Sequence, residues 1–465
     1  MATFDLPLTV DRARDEPLGA QLAAQLRSAL RDGRLVAGER LPSGRALAAA
    51  LGVSRTVVTE AYEQLYAEGW LEGRHGSGTY VTEIVPAPRP AWNGPEPHEP
   101  VAPEGMIDLR PGTPWIGGLD GPAWRRAWRM AAAAVPSARP DPRGRPALRA
   151  VLAEHMRRSR GVSCTPDAVV VTRGVGNGLD VLAATVLRPG DRVGVEDPGW
   201  GRARTVLEAR GIVPVPCPVD EHGLVVDALP GDLRMVYTTP SHQYPLGGVL
   251  PVPRRQALLA WARRTGALVV EDDYDGEFRY DVAPLPALFD LDPEVVVHLG
   301  TTAKILTSDV GVGWLVARPE LAAAVARRRI DLADRTAAVS QEAVRLLLER
   351  GDLDRHVRRM RAEYARRRAV VTAELAGLPL VGDTAGLHLV ASLPPGRAER
   401  VAAAAEPHGV LLDTVERHHA GPVRFSGLVI GYGAVSGRAE LRAACALVRR
   451  LIEATETAAL GSAVA

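Results

Sequence analysis

Gly300-Thr301-Thr302-Ala303-Lys304 carries the only lysine in a chain of 465 residues; every other member of its 56 Lys and Arg side chains is arginine. Arginine replaces lysine wherever only a positive charge is needed. It cannot replace it as an amine nucleophile, because the guanidinium stays protonated in proteins. A chain that has shed lysine and kept one reads as a chain that needs an amine. The chemical reading of Lys304 is a Schiff base with a carbonyl cofactor. The plain reading is a surface lysine left by chance, and the runs around it bear on the choice.

Outward from Lys304, short runs rich in Val, Ile and Leu alternate with helical stretches. They are Ala168–Thr172, Arg192–Glu196, Val213–Pro216, Met235–Thr239, Ala267–Asp272, Val295–Leu299 and Gly313–Ala317. Near-continuous apolar strands separated by helices imply a mostly parallel sheet covered on both faces. From about residue 320 the character changes to long arginine-studded helices and two further strands, Gly386–Ala391 and Leu428–Tyr432. That tail reads as a smaller α+β lobe.

Pyridoxal phosphate makes definite demands on its surroundings. Its ring nitrogen wants a carboxylate, its phenolic oxygen a hydroxyl donor, its phosphate a helix N-terminus and a cation. Glu271-Asp272-Asp273-Tyr274-Asp275 follows a hydrophobic strand, where open α/β sheets place ligand groups. Asp272 suits the ring nitrogen and Tyr274 the phenolic oxygen; the plain alternative is a solvated acidic turn. Pro240-Ser241-His242-Gln243 ends another strand, and its imidazole or amide suits the same phenolic oxygen. Trp200, after Asp197-Pro198-Gly199, suits stacking on the ring, although a lone tryptophan is more often core. Arg173-Gly174-Val175-Gly176-Asn177 precedes a helical run, so its backbone amides suit the phosphate, with Thr301 beside Lys304 as a further contact.

The first 82 residues form a separate module. Leu18, Leu22, Leu26 and Leu30 mark one face of a helix. Ser43 caps a second, Gly52 ends it, and Ser54 caps a third with Val57, Val58, Ala61 and Leu65 inward. The tight Leu51-Gly52-Val53 turn makes a helix-turn-helix. Trp70–Glu72 and Thr79–Val81 read as the strands of a wing. Arg55, Ser54, Thr56 and Thr59 open the third helix, the end a recognition helix presents to base edges. Arg45 suits the DNA backbone, and His75 and Gly76 at the wing tip suit the minor groove. A small protein-interaction domain with a solvated arginine face is the alternative. Between the modules, residues 83–105 hold seven prolines in 23 positions, which favours a stiff extended linker.

Net charge is +1, so any nucleic-acid site is a local patch rather than a global bias. Three cysteines, Cys164, Cys217 and Cys445, lie far apart and offer neither metal spacing nor a disulfide framework. No signal peptide is legible, and no stretch reaches the roughly 18 apolar residues of a membrane span. These features lead us to expect a cytoplasmic protein with no membrane partner.

Two sets of motifs carry a family resemblance. Arg40-Leu41-Pro42-Ser43, Leu51-Gly52-Val53-Ser54-Arg55, Ala61-Tyr62-x-x-Leu65-x-x-Glu68-Gly69 and Gly76-x-Gly78-Thr79 resemble the GntR-family winged helix. Asp141-Pro142-x-Gly144, Glu196-Asp197-Pro198-Gly199, Thr239-Pro240-x-His242-Gln243-x-Pro245, Glu271–Phe278 and Gly300-Thr301-x-x-Lys304 resemble the aminotransferase-like, fold-type I domain of MocR-type regulators. The resemblance implies a winged helix-turn-helix at 1–82, the linker at 83–105 and an aminotransferase-like effector domain at 106–460. Its large lobe spans about 135–320 and its small lobe about 321–460. It implies pyridoxal phosphate on Lys304, operator DNA as partner, a small amine, an amino acid or the cofactor itself as effector, and a head-to-tail homodimer. It also implies a substrate-carboxylate arginine near the last strand, for which Arg424 is the nearest candidate.

Three positions depart from the family pattern. Gly311 stands where a phosphate-binding arginine is usual, Ala303 where a serine precedes the lysine, and Arg173–Asn177 where a Ser-Gly-Thr-Gln-Gln turn is usual. Losing a charged hydrogen bond costs about 1.5–3 kcal/mol. Arg173 is the candidate to supply the missing cation. Two other functions stay open at this point: a working transaminase with a DNA-binding head, and a cofactor-free scaffold.

Overall fold

The structure is a computed structural model. It describes residues 6–74, 77–82, 102–280, 285–382 and 384–464, with side chains as far as residue 456 of the last helix. The wing-tip residues His75 and Gly76 and most of the expected linker lie outside the described residues. The chain divides into two units, Met1–Pro100 and Val101–Ala465.

In the smaller unit, α1 (Leu18–Arg31) buries Leu22, Leu26 and Leu30 completely along one face. Ser43 Oγ accepts from Ala46 N at 3.2 Å and caps α2 (Gly44–Leu51); Gly52 ends it. Ser54 Oγ lies 3.5 Å from Val57 N at the start of α3 (Arg55–Ala67). Val58, Ala61 and Leu65 join the α1 leucines in one core, while Val57 stays half-buried. Tyr62 Oη donates to Pro42 O at 2.9 Å and Tyr66 Oη shares a 2.6 Å bond with Thr79 Oγ1. These two bonds fasten α3 to the turn before α2 and to the wing. The wing pairs β1 (Leu71–Arg74) with β2 (Gly78–Val81), antiparallel. It starts one residue later than expected, because Trp70 N closes on Leu65 O at 2.9 Å to end the helix.

The larger unit opens with β3 (Ile107–Asp108), α4 (Pro122–Ala132) and α5 (Pro146–Arg160). There follow β4 (Val169–Thr172), α6 (Val175–Val186), β5 (Arg192–Asp197), α7 (Gly201–Glu208), β6 (Val213–Asp220) and β7 (Gly223–Leu224). Next come β8 (Met235–Thr238), α8 (Val252–Thr265), β9 (Leu268–Asp273), β10 (Val296–Thr301) and β11 (Gly313–Val316). They build one eight-stranded sheet in the order β4-β11-β10-β9-β8-β5-β6-β7. Pairs from β10 through β9, β8 and β5 to β6 are parallel; β11 runs antiparallel between β10 and β4. Alternation along the strands feeds two cores: Val170, Val195, Val270 and Leu299 face one, Val169, Val236, Val269 and Trp314 the other. The strands therefore read as continuous apolar runs, since both faces are covered.

The remainder comprises α9 (Pro319–Asp331), α10 (Ala338–Glu349), α11 (Asp352–Glu374), β12 (Leu380–Val381), β13 (His388–Ser392) and α12 (Arg397–Ala405). It ends with β14 (Val410–Leu411), β15 (Asp413–Thr414), β16 (Gly427–Gly431) and α13 (Arg438–Val464). A four-stranded antiparallel sheet, β12-β13-β16-β15, forms the smaller lobe. Its two long strands sit within two residues of the expected runs. The early strand β3 pairs in parallel with β14, Ile107 opposite Val410, so the chain before α4 is tied to this lobe. The arginine helices are not simply solvated. Arg329 and Arg367 are among the largest wholly buried side chains, and they donate to backbone carbonyls: Arg329 to Pro142 at 2.8 Å, Arg367 to Tyr432 at 2.9 Å and Val435 at 2.7 Å.

Candidate functional site

The expected cofactor residues converge at the carboxyl ends of β4, β5, β8, β9 and β10, the edge where open α/β sheets hold ligands. Asp272 is the penultimate residue of β9, opposite Leu299 of β10. Tyr237 of β8 donates its hydroxyl to Asp272 Oδ2. Asp272 Oδ1 is buried and has no hydrogen-bond partner among the described residues. Burial pushes this carboxyl up to about 7; the Tyr237 bond opposes the rise, and Asp273 and Asp275 add to it. The positive charge of Lys304 acts on Asp272 in the opposite sense, so the amine lies within electrostatic reach of the carboxylate. Lys304 is half-buried in the turn after β10, and its Nζ donates to Gly112 O.

Trp200 precedes α7 and stacks on Tyr237, ring centroids 6.2 Å apart at 23°. Gly174 caps the start of α6 with φ +119°, a conformation open to glycine, and Val175, Gly176 and Asn177 form the first turn. A Cβ on Gly174 would lie 3.6 Å from Thr301 Oγ1, so the turn and Thr301 are neighbours. Asn177 Oδ1 accepts from Arg173 N at 2.9 Å, and its amide reaches Asp334 at 3.4 Å. The Arg173 side chain is 57% exposed and pairs with Asp334 at 2.8 Å. Gly311 sits at φ +58° with open space where a side chain would begin. The backbone there suits glycine, so the usual arginine would be strained.

His242 and Gln243 are committed differently from the expectation that either donates to a phenolic oxygen. His242 Nδ1 lies 2.9 Å from Tyr274 Oη and 2.8 Å from Asp275 Oδ2. Gln243 spends its amide hydrogens on Pro198 O at 2.9 Å, Tyr244 O at 2.6 Å and Glu196 Oε2 at 3.2 Å. It thus braces the loop after β8 against the corner after β5. Glu196 is wholly desolvated, which raises its carboxyl, and also accepts from Thr239 Oγ1 at 2.6 Å. Arg424 is exposed on the loop before β16. Asp197 takes Ala420 N at 2.6 Å and Gly421 N at 3.2 Å, which pins that loop near the Trp200 corner.

In the smaller unit Arg45, Ser54, Arg55, Thr56 and Thr59 are all exposed. Thr59 Oγ1 donates to Arg55 O at 3.0 Å within the first turn of α3.

Sequence reasoning missed Tyr237, which carries no motif. One signal was available: a tyrosine inside an apolar strand needs a partner for its buried hydroxyl.

The chain matches the family described as "Aminotransferase class I and II" over residues 122–446 and the one described as "Bacterial regulatory proteins, gntR family" over 18–81. It is 37% identical to the HTH-type pyridoxine biosynthesis transcriptional regulator PdxR of Corynebacterium glutamicum, across 92% of this chain and 95% of that one. It is 34% identical to the probable rhizopine catabolism regulatory protein MocR of Rhizobium meliloti, across 92% of each. Among solved structures, the α-aminoadipate aminotransferase LysN of Thermus thermophilus, complexed with N-(5'-phosphopyridoxyl)-L-leucine, aligns with a TM-score of 0.68. That alignment is 24% identical and covers 76% of this chain and 93% of that one. It is a likeness of fold.

Proposed function

We infer that this chain, which belongs to the aminotransferase class I and II family and carries a gntR-family head, is a DNA-binding transcriptional regulator that holds pyridoxal phosphate on Lys304. A small amine, an amino acid or the cofactor itself is its signal. The observation that carries the cofactor reading is the orphaned, buried Oδ1 of Asp272, within electrostatic reach of the only lysine. An unpartnered buried carboxylate oxygen costs free energy unless a donor arrives, and a protonated ring nitrogen is such a donor.

Pyridoxal phosphate supplies an aldehyde that condenses with a primary amine and releases water. Lys304 is the amine held for it, Asp272 takes the ring N–H, and Tyr274 meets the phenolic oxygen. Trp200 covers the ring face. The amides of Gly174, Val175, Gly176 and Asn177, with Thr301, take the phosphate at the start of α6. Arg173 adds the cation that Gly311 lacks, exchanging Asp334 for phosphate. Arg173→Ala then weakens binding about tenfold, at the low end for a charged hydrogen bond because the side chain is exposed. Equal affinity of wild type and variant in a fluorescence titration removes Arg173 from the site.

The chain works as a homodimer, arranged head to tail, and so reads paired half-sites. Arg55 is the base-reading residue of α3, with Arg45, Ser54, Thr56 and Thr59 beside it. Arg55→Ala costs about 1–3 kcal/mol on the selected operator, roughly 5–150-fold. The reading as a whole is tested by selecting an operator from random DNA, then titrating protein by fluorescence anisotropy with and without pyridoxal phosphate. Operator affinity that responds to cofactor in wild type and not in Lys304→Ala is expected. Identical responses of the two proteins would sink it.

A further inference from the structure

We propose that Asp275 and His242 aim the Tyr274 hydroxyl: Asp275 fixes the imidazole proton on Nδ1, and that N–H leaves the tyrosine hydrogen free to be donated into the Lys304 pocket. Both are positioning residues. The proposal rests on the reading in which Tyr274 meets the phenolic oxygen of pyridoxal phosphate.

The argument is one of valence. His242 Nδ1 has two oxygen neighbours, Asp275 Oδ2 at 2.8 Å and Tyr274 Oη at 2.9 Å. A ring nitrogen offers one hydrogen or one lone pair, and a carboxylate only accepts. Two lone pairs facing each other at that distance in a buried site repel, so the hydrogen belongs on Nδ1. Tyr274 Oη then faces an N–H. It receives there and must donate elsewhere. A second observation agrees. His242 Nε2 is buried with no partner among the described residues, and burial without a partner suits a bare lone pair better than a lost donor.

The ring has no room to turn. Gly386 carries no side chain where a Cβ would stand 2.1 Å from His242 Cε1 and 2.6 Å from Nδ1, so the backbone before β13 closes directly on the imidazole edge. The other titratable and charged neighbours leave the arrangement intact. His388 of β13, whose ring centroid is 5.2 Å away, donates Nε2–H to Pro245 O at 3.0 Å and is kept neutral by burial, its pKa near 3. Arg160, which lines a small cavity with His242, is spent on Asp273 at 2.7 Å and Ser241 at 2.9 Å. Arg279 lines the same cavity. Tyr244 meets Tyr274 ring to ring, edge-on, with centroids 6.2 Å apart.

Two readouts test this separately. The first needs no cofactor: histidine is labelled with 15N, and His242 is assigned by its loss in His242→Gln. Wild type is expected in the Nδ1–H form and Asp275→Asn in a mixture or the Nε2–H form. The second follows the pH midpoint of the bound cofactor's visible band. Tyr274→Phe removes a donor to an anionic oxygen and raises the midpoint by about one to two pH units. Asp275→Asn is expected to raise it in the same direction, and the double variant to go no further than Tyr274→Phe alone. An Nε2–H form in wild type overturns the proposal, as does an unchanged midpoint in Asp275→Asn or shifts that add in the double variant. If Asp275→Asn does not fold, the wild-type tautomer alone decides. If no protein takes up cofactor, the reading under it fails while the tautomer still decides the wiring.

Discussion

Lys304→Ala abolishes covalent capture of pyridoxal phosphate. After borohydride reduction and peptide mapping, wild type carries a pyridoxyl group on the peptide containing residue 304, and the variant carries it on no internal peptide. The expected effect is complete because the sequence holds no second ε-amine to take over. Lys304→Arg separates chemistry from charge. It keeps the cation that acts on Asp272 yet supplies no nucleophile, since a guanidinium does not deprotonate in a protein. Loss of the visible band in both variants is expected, with Lys304→Arg retaining more noncovalent affinity than Lys304→Ala. A wild-type protein that yields no adduct at residue 304 leaves the pocket without its central chemistry, whatever the winged head binds.

The reach of sequence reasoning followed the range of the interactions. α1, α2 and α3 were legible because leucine spacing, Ser43, Ser54 and Gly52 act within a few residues of one another. The places of Asp272 and Lys304 at and just after strand ends were legible because a strand end is a local feature and the sheet places neighbouring strand ends together. The contacts that set their electrostatics were not. Tyr237 meets Asp272 across 35 residues and His242 meets Asp275 across 33, through strand register and loop path that no spacing encodes. The same limit explains Gln243, which looked like a pocket donor and is consumed by carbonyls around the Pro198 corner. Nor does the sequence mark Arg329 and Arg367 as buried, since arginine is mostly exposed; their burial depends on carbonyls supplied by distant turns.

Asp272→Asn stabilises the cofactor-free protein at pH 8 by about 4 kcal/mol more than it does at pH 4. The magnitude comes from burial. An ordinary aspartate titrates at 3.8, and this one is pushed up to about 7 by desolvation around an oxygen that nothing bonds. Three units at about 1.4 kcal/mol each give the figure. The sign follows from which state holds the proton. Between pH 4 and 7 the folded carboxyl keeps a proton that the unfolded chain has released. Each unit of rising pH therefore favours unfolding, until the folded group also ionises near 7. Asparagine resembles the protonated acid in shape and does not titrate, so the difference between wild type and variant isolates this one group from Glu196 and the other buried acids. Denaturant unfolding of the larger unit at pH 4, 5.5 and 8 measures it. The cofactor reverses the balance. A ring N–H held against Oδ1 stabilises the ionised form, so added pyridoxal phosphate stabilises wild type more than the variant, most of all above pH 7. A difference that stays flat from pH 4 to 8 means Asp272 is ionised throughout. In that case the pocket already supplies Oδ1 with a donor, and the ring nitrogen has no vacancy to fill.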